Sequence, residues 1–210
     1  MKNKVVYGAF MVLALSVPLS GVATNTGNSV EYYKQIERKA NSEIEEKAHH
    51  AKNLEYDVAK KQAALEEANK AVEAAQAKLQ EEGGYAASQA LIAAQKAKQQ
   101  AELTLAETQV KFEEATAETE RLRVAATRAN AAATSKNGSK EQTDKAYQQA
   151  SEAQKKAKEA AEKAQQAKEN LAKLQQQQKN SGPFNGLSFH QLVDHNYGNY
   201  QKMLDDTIKQ

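Results

Sequence analysis

From Val30 onward apolar residues return at alternating steps of three and four, the spacing that keeps side chains on one face of an α-helix. Val30, Glu37, Ile44, Ala51, Val58, Leu65, Val72 and Leu79 share one heptad position, and Tyr33, Ala40, Lys47, Leu54, Lys61, Ala68 and Ala75 share the second. Together they make one narrow stripe, interrupted by Glu37, Lys47 and Lys61, which predicts a helix over about residues 29–82. Asn28, with Glu31 three residues later, has the spacing of a capping box at its start.

The stripe runs into Glu82-Gly83-Gly84-Tyr85. Two adjacent glycines free the backbone to reverse and make a helix costly to continue, so a tight turn is expected there. A second helix over about residues 86–134 then carries Leu91, Ala94, Ala101, Leu105, Thr108, Phe112, Ala115, Leu122, Ala126 and Ala129 on one heptad scheme, with Lys98 and Thr119 as polar interruptions. Thr134-Ser135-Lys136-Asn137-Gly138 should end it, because Asn-Gly favours positive φ, and Ser139 with Gln142 repeats the capping-box spacing. The third helix, about residues 140–178, has the most regular seam: Ala146, Ala150, Ala153, Ala157, Ala160, Ala164, Ala167, Leu171 and Leu174. So many alanines let helix axes come close, but each buries little area, so stability has to come from length and from the partner helix.

Segments of about 50 residues reach roughly 60 to 75 Å as helix. Similar lengths joined by short turns predict an all-α fold: an elongated antiparallel coiled coil of three long helices with a short carboxyl-terminal helix. A monomer closing its own seams and a homodimer sharing them fit the pattern equally well.

After the glutamine tract at 175–178, Asn180-Ser181-Gly182-Pro183 breaks the helix and the composition changes. Phe184, Leu187, Phe189, Leu192, Val193, Tyr197, Tyr200, Met203, Leu204 and Ile208 crowd large apolar residues into residues 181–210. Ser188 with Gln191 has the spacing to cap a last helix carrying Phe189, Leu192, Val193, Tyr200, Met203 and Leu204, which Gly198 interrupts. Phe184, Phe189, Leu192, Tyr197, Tyr200, Met203 and Leu204 are therefore the candidate docking residues for a protein partner.

Composition decides between a rod and a solvated tail. Aromatics are 6% of the chain and Trp is absent, and the mean hydropathy is −0.81; an unfolded chain can be equally polar. Both prolines, Pro18 and Pro183, lie outside residues 28–178, and a proline-free run of Ala, Glu, Lys and Gln has high helix propensity. The start of the chain has the form of a secretory signal: Lys2 and Lys4, an apolar run over 5–19, then Ser20-Gly21-Val22-Ala23, with cleavage expected after Ala23. The run is shorter than the roughly 20 apolar residues of a membrane span and contains Pro18.

Loss of Lys2 and Lys4 with that segment takes the 29 basic residues to 27, equal to the 27 acidic ones. A neutral chain with lysines interleaved among Glu and Gln has no electrostatic case for nucleic acid. There is no cysteine, hence no disulfide, no thiol chemistry and no lipid-attachment cysteine. With no apolar carboxyl-terminal tail either, the mature chain is expected to be held at a surface only by a partner, without membrane insertion.

Candidate chemistry is sparse. No Gly-rich phosphate loop, Gly-x-Ser-x-Gly elbow or His-Glu-x-x-His helix occurs. His49 and His50 are adjacent, so on a helix they point about 100° apart, although Glu46 lies one turn before His50. His190 and Asp194 share a helical face beside His195, short of a third ligand for a metal. Glu66 with Lys70 and Glu159 with Lys163 have the spacing of surface i,i+4 pairs. Asn137-Gly138-Ser139 is formally a glycosylation sequon. Tyr32, Tyr33, Tyr56, Tyr85 and Tyr147 recur along the rod, with half-buried packing as the expectation. The inventory predicts no enzyme, no cofactor and no metal.

Repeats such as Ala63-Ala64-Leu65-Glu66-Glu67-Ala68 and Lys155-Lys156-Ala157-Lys158-Glu159-Ala160-Ala161-Glu162-Lys163, over residues 30–178, resemble the coiled-coil stalks of Gram-positive surface proteins of the surface-exclusion and M-like type. The chain departs from them in having no wall-sorting signal, and no functional residue carries over. The expectation is a secreted or envelope-associated structural and interaction protein with a protein partner at the cell surface. The alternative is a coiled-coil regulator or accessory subunit of an envelope enzyme or secretion system. A membrane-active helical toxin would need a long apolar hairpin after the signal, and there is none.

Overall fold

The computed structural model describes residues 26–180. Over that stretch the fold is all-helical: α1 spans Thr26–Glu82, α2 Gly84–Asn137 and α3 Lys140–Asn180. The predicted signal segment, residues 1–23, and the predicted last helix lie outside the described residues. At about 1.5 Å per residue, helices of 57, 54 and 41 residues are about 85, 81 and 62 Å long, longer for the first two than the sequence pattern implied.

The first reversal takes a single residue. The Gly83 N–H donates to the Leu79 carbonyl at 3.0 Å, closing α1. Gly83 then adopts φ 62, ψ −166, a region that is essentially glycine's alone, and Gly84 follows at φ 82. Helix α2 consequently starts two residues earlier than expected.

The second reversal corrects its prediction. Helix α2 continues through Asn137, and Gly138 has φ −92, ψ 166 rather than a positive φ. Space is what calls for glycine here: a Cβ on Gly138 would sit 2.7 Å from both the Thr134 carbonyl oxygen and Thr134 Cγ2. The Gly138 N–H donates to that same carbonyl, which pins the closest approach. Ser139 forms the predicted capping box: its N–H donates to Gln142 Oε1 at 2.9 Å and its Oγ accepts from the Gln142 N–H at 3.3 Å. Residue 28, the expected capping position, lies inside α1, which spans Thr26–Glu82.

Helix α2 packs against both α1 and α3, and α1 and α3 do not pack on each other. Three closed seams are therefore not formed. The predicted stripes are nevertheless the faces that turn inward. No stripe position of α1 is exposed, interruptions included, and the same holds for α2 and α3. Half-buried Lys47 and Lys61 can lay their methylene stems along the seam with the ammonium in water. Thr119 is only 5% exposed and satisfies its hydroxyl by donating to the Ala115 carbonyl at 2.8 Å, as Thr104, Thr108 and Thr127 do one turn back along α2.

The two interfaces differ in content. Leu79 of α1 and Ala87 and Leu91 of α2 form a buried cluster with Val72 and Ala75 against it. On α3 the buried residues are alanines only: Ala146, Ala150, Ala153, Ala160, Ala164 and Ala167. Lys168 Nζ meets Glu114 at 2.8 Å and Arg128 donates to Gln154 at 3.0 Å, so the later residue of α3 finds the earlier one of α2.

Candidate interaction site

A middle helix must be apolar on two sides, and α2 is. Besides its predicted stripe, Leu103, Val110, Ala117, Val124 and Ala131 repeat at intervals of seven, and each is buried or half-buried. This second row is legible in the sequence; assigning a single stripe to each helix passed over it, together with buried Ala87, Ser88, Ile92 and Ala133.

Because α1 and α3 flank α2 without meeting, grooves open between them. One largely apolar groove has a volume of about 530 Å³ and is lined by Tyr33 and Ile36 of α1, Val124, Ala125, Arg128, Ala129, Ala131 and Ala132 of α2, and Tyr147, Ala150, Ser151 and Gln154 of α3. Tyr147, 55% exposed, stands at its rim. Tyr33 packs edge-on to Tyr32 with ring centroids 5.7 Å apart, and the Lys136 ammonium lies 5.8 Å from its centroid, a cation–π contact. A second groove of about 470 Å³ at the same end has a polar lining that includes Lys34, Glu37, Asn130, Asn137, Gln142 and Lys145. A third, about 340 Å³, lies further along between Leu65, Leu105 and Leu174.

Tyr32, Tyr56 and Tyr147 are exposed, where half-buried packing was expected; only Tyr33 and Tyr85 fit that expectation. An exposed phenol keeps an apolar ring beside a hydrogen-bonding tip, the usual equipment of a contact surface. The seven predicted docking residues, Phe184, Phe189, Leu192, Tyr197, Tyr200, Met203 and Leu204, all lie outside the described residues, as do His190, Asp194 and His195.

Chemistry of the catalytic or metal-binding kind does not converge. No group of three His, Cys, Asp or Glu stands within ligating distance among the described residues. His49 and His50 are exposed, and His49 Nδ1 meets Asn53 Nδ2 at 3.4 Å. Glu159 meets Lys155 at 4.0 Å rather than Lys163. Glu120 bonds Arg123 through one carboxylate oxygen while the other is buried without a partner among the described residues. No described helix is long and apolar enough to cross a membrane. Comparisons with protein-family models, curated proteins and solved structures returned no match.

Proposed function

We propose that the chain is an exported, non-enzymatic interaction protein: an antiparallel coiled-coil spacer, secreted or associated with the cell envelope, whose carboxyl-terminal segment serves as a docking element for a protein partner. The observation that carries this reading is the helical chain itself. Residues 26–180 are helix apart from the one-residue link at Gly83 and the two-residue link at Gly138 and Ser139, an economy that suits a spacer. The opposed order of the Lys168–Glu114 and Gln154–Arg128 contacts supports the antiparallel arrangement, and the 5–19 apolar run before Ser20-Gly21-Val22-Ala23 supports export. A partner is invoked because large apolar residues crowd the carboxyl-terminal segment of an otherwise polar chain.

The test expresses the full chain in a secreting host. Mass spectrometry of the exported product should find a new amino terminus after Ala23, and deletion of residues 181–210 should abolish capture of the envelope partner while circular dichroism shows the remaining chain still helical. Retention of an intact amino terminus in the cell would overturn export, and undiminished capture by the deletion variant would overturn the docking role. Recovery of an enzyme whose activity changes on binding would favour the accessory-subunit alternative.

A further inference from the structure

Basic residues gather toward the end of α2. Three of the chain's four arginines, Arg121, Arg123 and Arg128, lie there, and from Arg121 to Lys140 five basic residues follow one another with no acidic one between them. No other acid-free run of the chain holds more than three. Neighbouring carboxylates take up two of the arginines, since Arg121 meets Glu118 at 3.4 Å and Arg123 meets Glu120. Arg128 meets no carboxylate among the described residues; its guanidinium donates to the neutral Gln154 amide oxygen at 3.0 Å.

The fold sets this cation at the edge of a trough. Arg128 is exposed and is the one charged residue lining the groove of about 530 Å³ between Tyr33 and Tyr147. Glu37 lines the adjoining polar groove with Lys34 and Lys145, and Glu102 lines the third, so each of those presents a carboxylate. This one presents none, and a second cation, the Lys136 ammonium, lies 5.8 Å from the Tyr33 ring centroid. Ile36, Val124, Ala125 and Ala132 give it apolar walls. Apolar walls with a positive rim complement an apolar body that carries one negative group.

Its dimensions narrow the class of ligand. The volume falls in the range of small-molecule sites, roughly 300–1,000 Å³. Along α2 the lining runs from Val124 to Ala132, about 12 Å at about 1.5 Å per residue. Bonds of about 1.5 Å meeting at about 111° advance a carbon chain by about 1.25 Å each, so a straight chain of about ten carbons fills that length.

We propose that this groove is a binding site for a medium-chain fatty acid, with the acyl chain lying between the Tyr33 and Tyr147 rings and the carboxylate forked onto Arg128. A guanidinium carries five N–H donors in a rigid plane, so Arg128 keeps Gln154 while offering two parallel donors to a carboxylate. A lysine there would supply the charge without the fork. The site is separate from residues 181–210, and its failure would leave the spacer and docking reading as it stands.

Titration calorimetry of the full chain with decanoate, kept below the concentration at which decanoate aggregates, should show saturable binding of one molecule per chain. Decanol, with the same chain and no charge, should bind about tenfold more weakly, the lower end of what a hydrogen bond to a charged group contributes. Arg128→Gln should bring decanoate down to the decanol level with helicity unchanged, whereas Arg121→Gln, which removes the same charge from the Glu118 pair, should leave both affinities alone. Ser151→Phe, at an exposed position of the lining, should fill the groove and abolish both. Equal affinity for decanoate and decanol, or decanoate binding indifferent to Arg128→Gln, would overturn the proposal. So would an absence of saturable binding, whether the groove stands empty or is filled by a second copy, seen as a doubled mass, or by residues 181–210, seen as binding that appears on their deletion.

Discussion

The α1–α2 and α2–α3 pairs share a helix, a mode of packing and a short connection, yet they are held together by different means. Between α1 and α2 the seam is filled by side chains of size, with Leu79 and Leu91 buried and Ile44, Leu54, Leu65, Leu105 and Phe112 half-buried. Full burial of a leucine contributes about 1.5–3 kcal/mol. Between α2 and α3 the fully buried residues of α3 are all alanines, Leu171 and Leu174 are the large seam residues half-buried near its end, and two polar contacts, Lys168–Glu114 and Arg128–Gln154, bridge the surface. The same heptad period therefore encodes a cohesive pair and a loosely held third helix. The lesson is that periodicity reports which face turns inward, while side-chain volume reports how firmly it stays there.

The substitution that strikes hardest at this asymmetry is Leu91→Ala. Leu91 is fully buried, so truncation should remove about 2–5 kcal/mol, read as a fall in the urea midpoint at unchanged m. Ala153→Gly, the corresponding loss in the α3 seam, should cost only about 1 kcal/mol, set by helix propensity. Equal losses at the two sites would mean that the pairs are not unequal after all.

The connections carry the next effect. Gly138→Ala forces a Cβ to within 2.7 Å of the Thr134 carbonyl oxygen and Cγ2, an overpacking that should cost about 1–3 kcal/mol. Because the damage sits at the α2–α3 link, hydrogen exchange should quicken in α3 before it quickens in α1. Faster exchange spread evenly over all three helices would show that α3 does not open separately.

How far the sequence reaches is best judged residue by residue. The α3 seam was fully legible, because alanines at strict spacing in a charged helix leave one apolar face to choose. Gly83-Gly84 was legible as a reversal, since no other pair of residues tolerates two successive positive φ angles so well. Gly138 was misread: Asn-Gly statistics favour a left-handed turn, but the local constraint was crowding by Thr134, which depends on the helix running three residues further than its polar composition suggested. Helix α2's second stripe, Leu103, Val110, Ala117, Val124 and Ala131, is apolar throughout and was passed over because a helix with one stripe already assigned asks for a second only when it lies between two others, which is a tertiary fact. The Tyr33–Tyr147 groove could not have been foreseen from spacing, as it is made of three helices whose arrangement no local pattern specifies.

The smallest expected effect sharpens the comparison from the polar side. Lys168 and Glu114 meet at 2.8 Å, but their side chains remain 42% and 49% exposed, so water screens the pair and its contribution is about 0–1 kcal/mol. Glu114→Gln removes the charge and keeps the shape. At low ionic strength it should speed exchange of α3 amides around Lys168 and leave α1 untouched. In about 1 M salt, where the Debye length falls to about 3 Å, the variant and the unsubstituted chain should exchange alike. A difference that persists at high salt would point to a desolvated contact, and the α2–α3 interface would then owe more to its polar bridge than to its alanines. Convergence would leave the methyl row, weak per residue but repeated along the helix, as what keeps α3 in place.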